Sequence, residues 1–138
     1  MASAISWFEI PAVDINRAAK FYEEIFQFKM VTMDMGEVKM RVFPVADTMK
    51  DIAGVLISVS ENHKPSEKEG VVIYLNANPD VKIILDRVEK AGGKILMEKT
   101  TISEEHGYMG FFKDTEGNRV GLHSVPEKYL GDWKGITE

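Results

Sequence analysis

The residues best suited by type to acid/base work or metal ligation are three histidines, at 63, 106 and 123. There is no cysteine. That removes disulfides, thiolate metal sites, iron–sulfur ligation and a cysteine nucleophile. No serine, histidine and acid fall into a hydrolase pattern, and no phosphate loop or dinucleotide fingerprint is present. Gly92-Gly93 reads as a helix stop and Gly107-x-x-Gly110 as a loop. His106 opens that loop, which is placed to close over a pocket, while the alternative is an ordinary surface loop. His63 sits in the charged stretch SENHKPSEKEG, from Ser60 to Gly70, and is expected to be solvated. Arg41 lies in an otherwise apolar strand, where it either meets an anionic substrate group or faces outward.

The elements that must position these groups follow from periodicity. Ile5 to Ile10 carries Ile, Trp and Phe and reads as a strand ended by Pro11. Asp14 offers an N-cap, and Ile15, Ala18, Tyr22 and Ile25 recur at helical spacing, so the first helix runs from about 15 to 26. Strands are expected at Phe28 to Met33, Val38 to Val45 and Gly54 to Val59. After the charged connector the order repeats. A strand at Val71 to Asn76 comes first, with Asn78-Pro79 as N-cap and first-turn proline. A helix carrying Val81, Ile84, Leu85 and Val88 follows, then strands at Lys94 to Glu98, Tyr108 to Lys113 and Asn118 to Ser124. The offset is about 66 residues. Each copy has an apolar sheet face that it cannot bury alone, and two together enclose a groove. The expected fold is therefore α+β, one unit over 1–138. It is built of module 1 (about 5–60), module 2 (about 71–124) and a tail, 125–138, in which Tyr129, Leu130 and Trp133 pack across the outside or on a second subunit.

Bulk composition narrows the function classes. Hydrophobic residues make up 44% and charged residues 28%, the ordinary globular range. The net charge of −5 and the scattered lysines offer no basic stripe for phosphate neutralisation, so nucleic acid is not an expected partner. No run approaches the roughly 18–20 apolar residues that span a bilayer. The opening residues lack a signal-peptide pattern, and the expectation is a cytoplasmic protein.

The stretch Glu9-Ile10-Pro11-Ala12-Val13-Asp14-Ile15-Asn16-Arg17-Ala18-Ala19-Lys20-Phe21-Tyr22, then Ile25-Phe26-Gln27-Phe28, resembles the opening of vicinal-oxygen-chelate proteins. These are the glyoxalase, bleomycin-resistance and extradiol-dioxygenase superfamily. Val88-Glu89-Lys90-Ala91-Gly92-Gly93-Lys94-Ile95-Leu96 and Gly110-Phe111-Phe112-Lys113-Asp114-Thr115-Glu116-Gly117-Asn118-Arg119-Val120-Gly121-Leu122 are similar to later signatures, in the family's order. The resemblance covers about 5–124. It implies two βαβββ modules forming a curved, barrel-like sheet with an internal groove, a small-molecule ligand and a homodimer. Gln27 stands where the family has a glycine. A left-handed non-glycine residue costs about 1 kcal/mol, so that helix end is expected to be capped differently.

Catalytic members hold a divalent ion between His and Glu ligands, where it serves as a Lewis acid. The resemblance places those ligand positions at Trp7, near Val72 or Ile73, and at Gly121, none of which coordinates an ion. Metal ligands are therefore expected to be none, with an unusual Zn, Ni or Fe site left as the minor case. Glu9 shares a strand face with Trp7, and His123 with Gly121. Those two are the candidate acid/base pair, with hydrogen bonding inside or at the rim of the pocket as the plain alternative. Trp7, Phe43, Tyr74, Met109 and Phe111 supply apolar pocket walls if they face inward and core if they do not. Trp7 suits stacking on a flat ligand. Three activities stay open: a glyoxalase-related binder or lyase, a bleomycin-resistance-like protein that sequesters a drug, and an extradiol dioxygenase-like oxidoreductase.

Overall fold

The structure is a computed structural model that describes residues 3–47 and 49–131. Module 1 contains β1 (Trp7–Ala12), α1 (Ile15–Phe26), β2 (Val31–Met35), β3 (Val38–Val42) and β4 (Ala53–Ser58). Module 2 contains β5 (Tyr74–Asn76), α2 (Val81–Val88), β6 (Lys94–Ser103), β7 (Gly107–Lys113) and β8 (Arg119–Ser124). A 3-10 turn, Glu127–Tyr129, follows. The sheets have the orders β1-β4-β3-β2 and β5-β8-β7-β6, the same path twice. In each, the first and last strands pair in parallel and the rest are antiparallel. The fold is α+β, with two unclosed curved sheets. Trp133 lies outside the described residues. Among those described, no helix is long and apolar enough to cross a membrane.

Both sheets turn one face to the helices. Ile10, Ala12, Phe43 and Leu56 from module 1 and Leu75, Phe112, Val120 and Leu122 from module 2 join α1 and α2 in one cluster. Phe21 and Tyr22 of α1 reach Phe112 of β7, with ring centroids 5.6 and 6.1 Å apart. The modules therefore share a core. Strand alternation then fixes what the opposite faces show: Trp7, Glu9, Met40 and Val55 on the first sheet, and Tyr74, Gly121, Met109 and Phe111 on the second.

Local chemistry explains where the elements stop, and corrects some expectations. Asp14 caps α1 by accepting from Arg17 N–H at 3.1 Å. Pro11 does not end β1. It pairs with Ile57 inside the strand, which tolerates proline because β1 is bonded in its sheet on one side only. Val31–Met35, not Phe28 to Met33, forms β2, and Phe28 packs instead against Phe26 and Phe43. Asp80, not Asn78, caps α2, accepting from Lys82 N–H at 2.8 Å. Asn78 is otherwise engaged: its Oδ1 takes the Val125 N–H at 2.8 Å.

Gln27 keeps the left-handed conformation (φ 58°, ψ 46°) that the family gives to glycine. Its N–H bonds to the Glu23 carbonyl at 2.9 Å, and its side chain reaches the Glu24 carbonyl at 2.5 Å. The helix end is thus capped in the family's geometry without the family's residue. Gln27→Gly should raise unfolding free energy by about 0.5–1 kcal/mol in urea titrations. A loss would show that the exposed side-chain bond outweighs the strain.

Candidate functional site

The open face of the second sheet is organised around a missing side chain. Gly121 on β8 is flanked in register by Tyr74 on β5 and Phe111 on β7. A Cβ at Gly121 would lie 2.6 Å from the Tyr74 ring, so the glycine is what lets that ring lie across β8. The Tyr74 and Phe111 rings stand 5.4 Å apart. The next row of the same face is Asn76, His123 and Met109. Together with Ile102 and His106, Tyr74 and this row line an open cavity of about 620 Å³. This is within the size range of small-molecule sites.

The tautomer of His123 at its rim follows from its partner. His123 Nε2 lies 2.7 Å from the His106 carbonyl, which only accepts, so Nε2 carries the proton. In the neutral ring Nδ1 is then an acceptor. Ser103 Oγ accepts from His106 N–H at 2.9 Å and sits 2.9 Å from His106 Nδ1. A hydroxyl oxygen accepts twice and donates once, so this contact is met by either tautomer of His106. The rim offers polar ring atoms of both histidines, among them His123 Nδ1.

The remaining candidates lie elsewhere. Trp7 and Glu9 occupy the open face of the other sheet, where the indole N–H meets Glu9 Oε2 at 3.3 Å. Glu9 does not pair with His123. Its partner is His63, whose Nε2 lies 2.7 Å from Oε1. This hydrogen bond is the largest cause holding the Glu9 carboxyl below its ordinary range, against an upward push from partial burial and with help from Trp7. His63 is half-buried rather than solvated, because the connector bends back on itself through the paired Ser60 and His63 backbones. Its Nδ1 lies 2.9 Å from Ser60 Oγ. The spacing Ser-x-x-His recurs at Ser103 and His106, which was the only sequence signal for either arrangement.

Arg41 is on the helix side, bound to Asn16 Oδ1 (3.0 Å), the Met40 carbonyl (2.9 Å) and Asp34 (3.4 Å). Phe43 is core, 3% exposed, among Phe8, Tyr22 and Phe28. Neither lines the cavity. Tyr74 is the residue of β5 that faces Gly121 in register.

The family model described as Glyoxalase/Bleomycin resistance protein/Dioxygenase superfamily matches residues 4–122. The chain belongs to this superfamily. A glyoxylase-like domain-containing protein of Didymella fabae is 35% identical over 127 residues, covering 90% of this chain and 95% of that one. A glyoxalase I variant from Zea mays superposes with a TM-score of 0.68 at 20% identity, over 88% of this chain and 44% of the maize chain. TnmS3, an antibiotic binding protein from Streptomyces sp. CB03234, superposes with a TM-score of 0.60 at 20% identity, over 89% and 96%. At these identities the superpositions establish the fold. The superfamily's metal does not fit the residues present. Trp7, Val72 or Ile73, and Gly121, where the resemblance places the ligands, carry no metal-coordinating side chain, and among the described residues no three His, Asp or Glu side chains are grouped so that they could hold an ion.

Proposed function

We propose that this protein binds a flat, largely apolar small molecule on the open face of the second sheet, and acts as a binder rather than a lyase. The observation that carries this reading is the Tyr74 ring laid over Gly121, in the cavity that the two histidines also line. It supplies an aromatic floor with polar imidazole atoms at the edge. The negative net charge favours a ligand that is neutral or cationic. Both sheets leave large apolar side chains uncovered on their open faces, with Trp7 43%, Met35 63% and Tyr74 49% exposed. A second copy placing its first sheet over the cavity would cover them, so we expect sedimentation at the dimer mass.

Thermal-shift screening against planar heteroaromatic compounds tests the reading. A stabilising ligand should obey RT ln(1 + [L]/Kd). Its affinity should fall about tenfold or more on Tyr74→Ala, on His123→Leu and on Gly121→Ala, which forces the Tyr74 ring aside. Turnover of a methylglyoxal–glutathione hemithioacetal that depends on copurified zinc, nickel or iron, and is lost on Glu9→Ala or His123→Ala, would overturn it.

A further inference from the structure

A second cavity, of about 230 Å³, shares no lining residue with the first. It lies where the connector passes β1 and the start of β8, and its charged lining is Lys64 and Arg119 with Glu9 and Glu69. Glu9 is already engaged by His63 and Trp7. Arg119 is the opposite case. Its backbone N–H holds the Ser66 carbonyl at 3.1 Å, which pins the connector beside it. Its Nε, however, is buried and meets no acceptor among the described residues. Buried donors in folded proteins nearly always have one, and a guanidinium most of all.

The strand register sharpens this. Arg119 stands directly opposite Lys113 on β7. Like charges facing each other across a strand pair repel and call for counter-charge. Lys113 has it, with Glu67 3.7 Å away. No ion pair to Arg119 is formed among the described residues.

We propose that this cavity is an oxyanion site, taking a small carboxylate or phosphate whose oxygen accepts from Arg119 Nε–H and whose charge is balanced by Arg119 and Lys64. The volume is below that of drug-sized pockets and suits an anion of a few heavy atoms. Arginine matches either group through its planar donor fork. Glu69 on the lining opposes the anion and keeps binding weak.

The test is an NMR titration of the full chain with inorganic phosphate and, separately, propionate, at ionic strength held constant with chloride. Saturable shifts of the Ser66, Gly70, Val71 and Arg119 amides are expected. Response to one anion alone or to both identifies which oxyanion is taken, and each supports the site. Arg119→Lys, which keeps the charge and removes Nε, should weaken binding about tenfold, and Glu69→Gln should tighten it severalfold. If the Arg119 variant does not fold, Lys64→Ala on the exposed connector should weaken binding instead. Absence of saturable shifts with both anions, or an affinity indifferent to Arg119, Lys64 and Glu69, would overturn the proposal.

Discussion

Asp114→Ala is expected to lower unfolding free energy by about 3–5 kcal/mol. The carboxylate is 3% exposed and accepts four hydrogen bonds. These come from Tyr22 Oη (2.8 Å), Glu116 N–H (2.8 Å), Asn118 N–H (2.9 Å) and Asn118 Nδ2 (3.0 Å). Alanine leaves those donors in a site closed to water, and each unsatisfied buried group costs roughly 1–3 kcal/mol. The damage would not stay in the turn. Asn118 Nδ2 also donates to the Pro11 carbonyl at 2.7 Å, and Glu116 takes Asp14 N–H at 2.6 Å and Arg17 Nε at 2.8 Å. One turn of module 2 thus holds β1 and the start of α1 of module 1. The urea midpoint should fall with an unchanged slope, and a loss under about 1 kcal/mol would show that the turn does not join the modules.

The pH dependence of that loss has a definite sign. Burial pushes the Asp114 carboxyl above its ordinary 3.8, only partly countered by the bonds from Asn118, Tyr22 and Glu116. A raised folded-state pKa contributes stability that is fully present below the unfolded value and disappears as pH rises through the folded one. The gap between the parent protein and Asp114→Ala should therefore be larger near pH 3 than at neutrality. Glu116 runs the other way. Burial raises it, but Arg17, Asp14 and Thr115 outweigh burial and hold it below 4.5. Its contribution is present above that value and is lost as pH falls through the depressed pKa. Because Glu116 N–H is one of Asp114's donors, the comparison that isolates Asp114 is made in a Glu116→Gln background.

How much of this was legible beforehand depended on the range of the interaction. The bounds of α1 could be read because Asp14, the apolar stripe and the cap all lie within a few residues of one another. The duplicated strand order could be read because periods of 2 and 3.6 are local patterns. Which face of a strand stays open is not local. It depends on where the helices of both modules land, so Phe43 went to the core and Arg41 to the helix side. Parity along β8 set Gly121 and His123 on one face, and Tyr74 could be named as a pocket wall from its type, but which way it faces rests on a strand pairing across some 47 residues. The Glu9 and His63 contact spans 54 residues and needs the connector to fold back, which composition alone does not reveal.

The His106 and His123 rim of the cavity depends on one backbone position, Gly107, where alanine is expected to cost about 3 kcal/mol or more. Two separate penalties apply. Gly107 has φ 86°, where side chains are strained. Its added Cβ would fall onto the Ser124 carbonyl oxygen and lie 2.9 Å from the Val125 carbonyl carbon, and neither atom can swing away as a side chain does. Relief would require β7 and β8 to part at the Tyr108 and Ser124 pair. Gly36→Ala separates the terms, because Gly36 has φ 65° with nothing within 4 Å of the built Cβ. It should cost only the strain, about 1 kcal/mol. The His106 carbonyl that fixes the His123 tautomer belongs to the peptide bonded to Gly107. Gly107→Ala should therefore also abolish binding of any ligand that depends on His123, while Gly36→Ala leaves it intact. Equal urea midpoints for the two variants would mean that β7 and β8 are not packed as closely there as the clash requires.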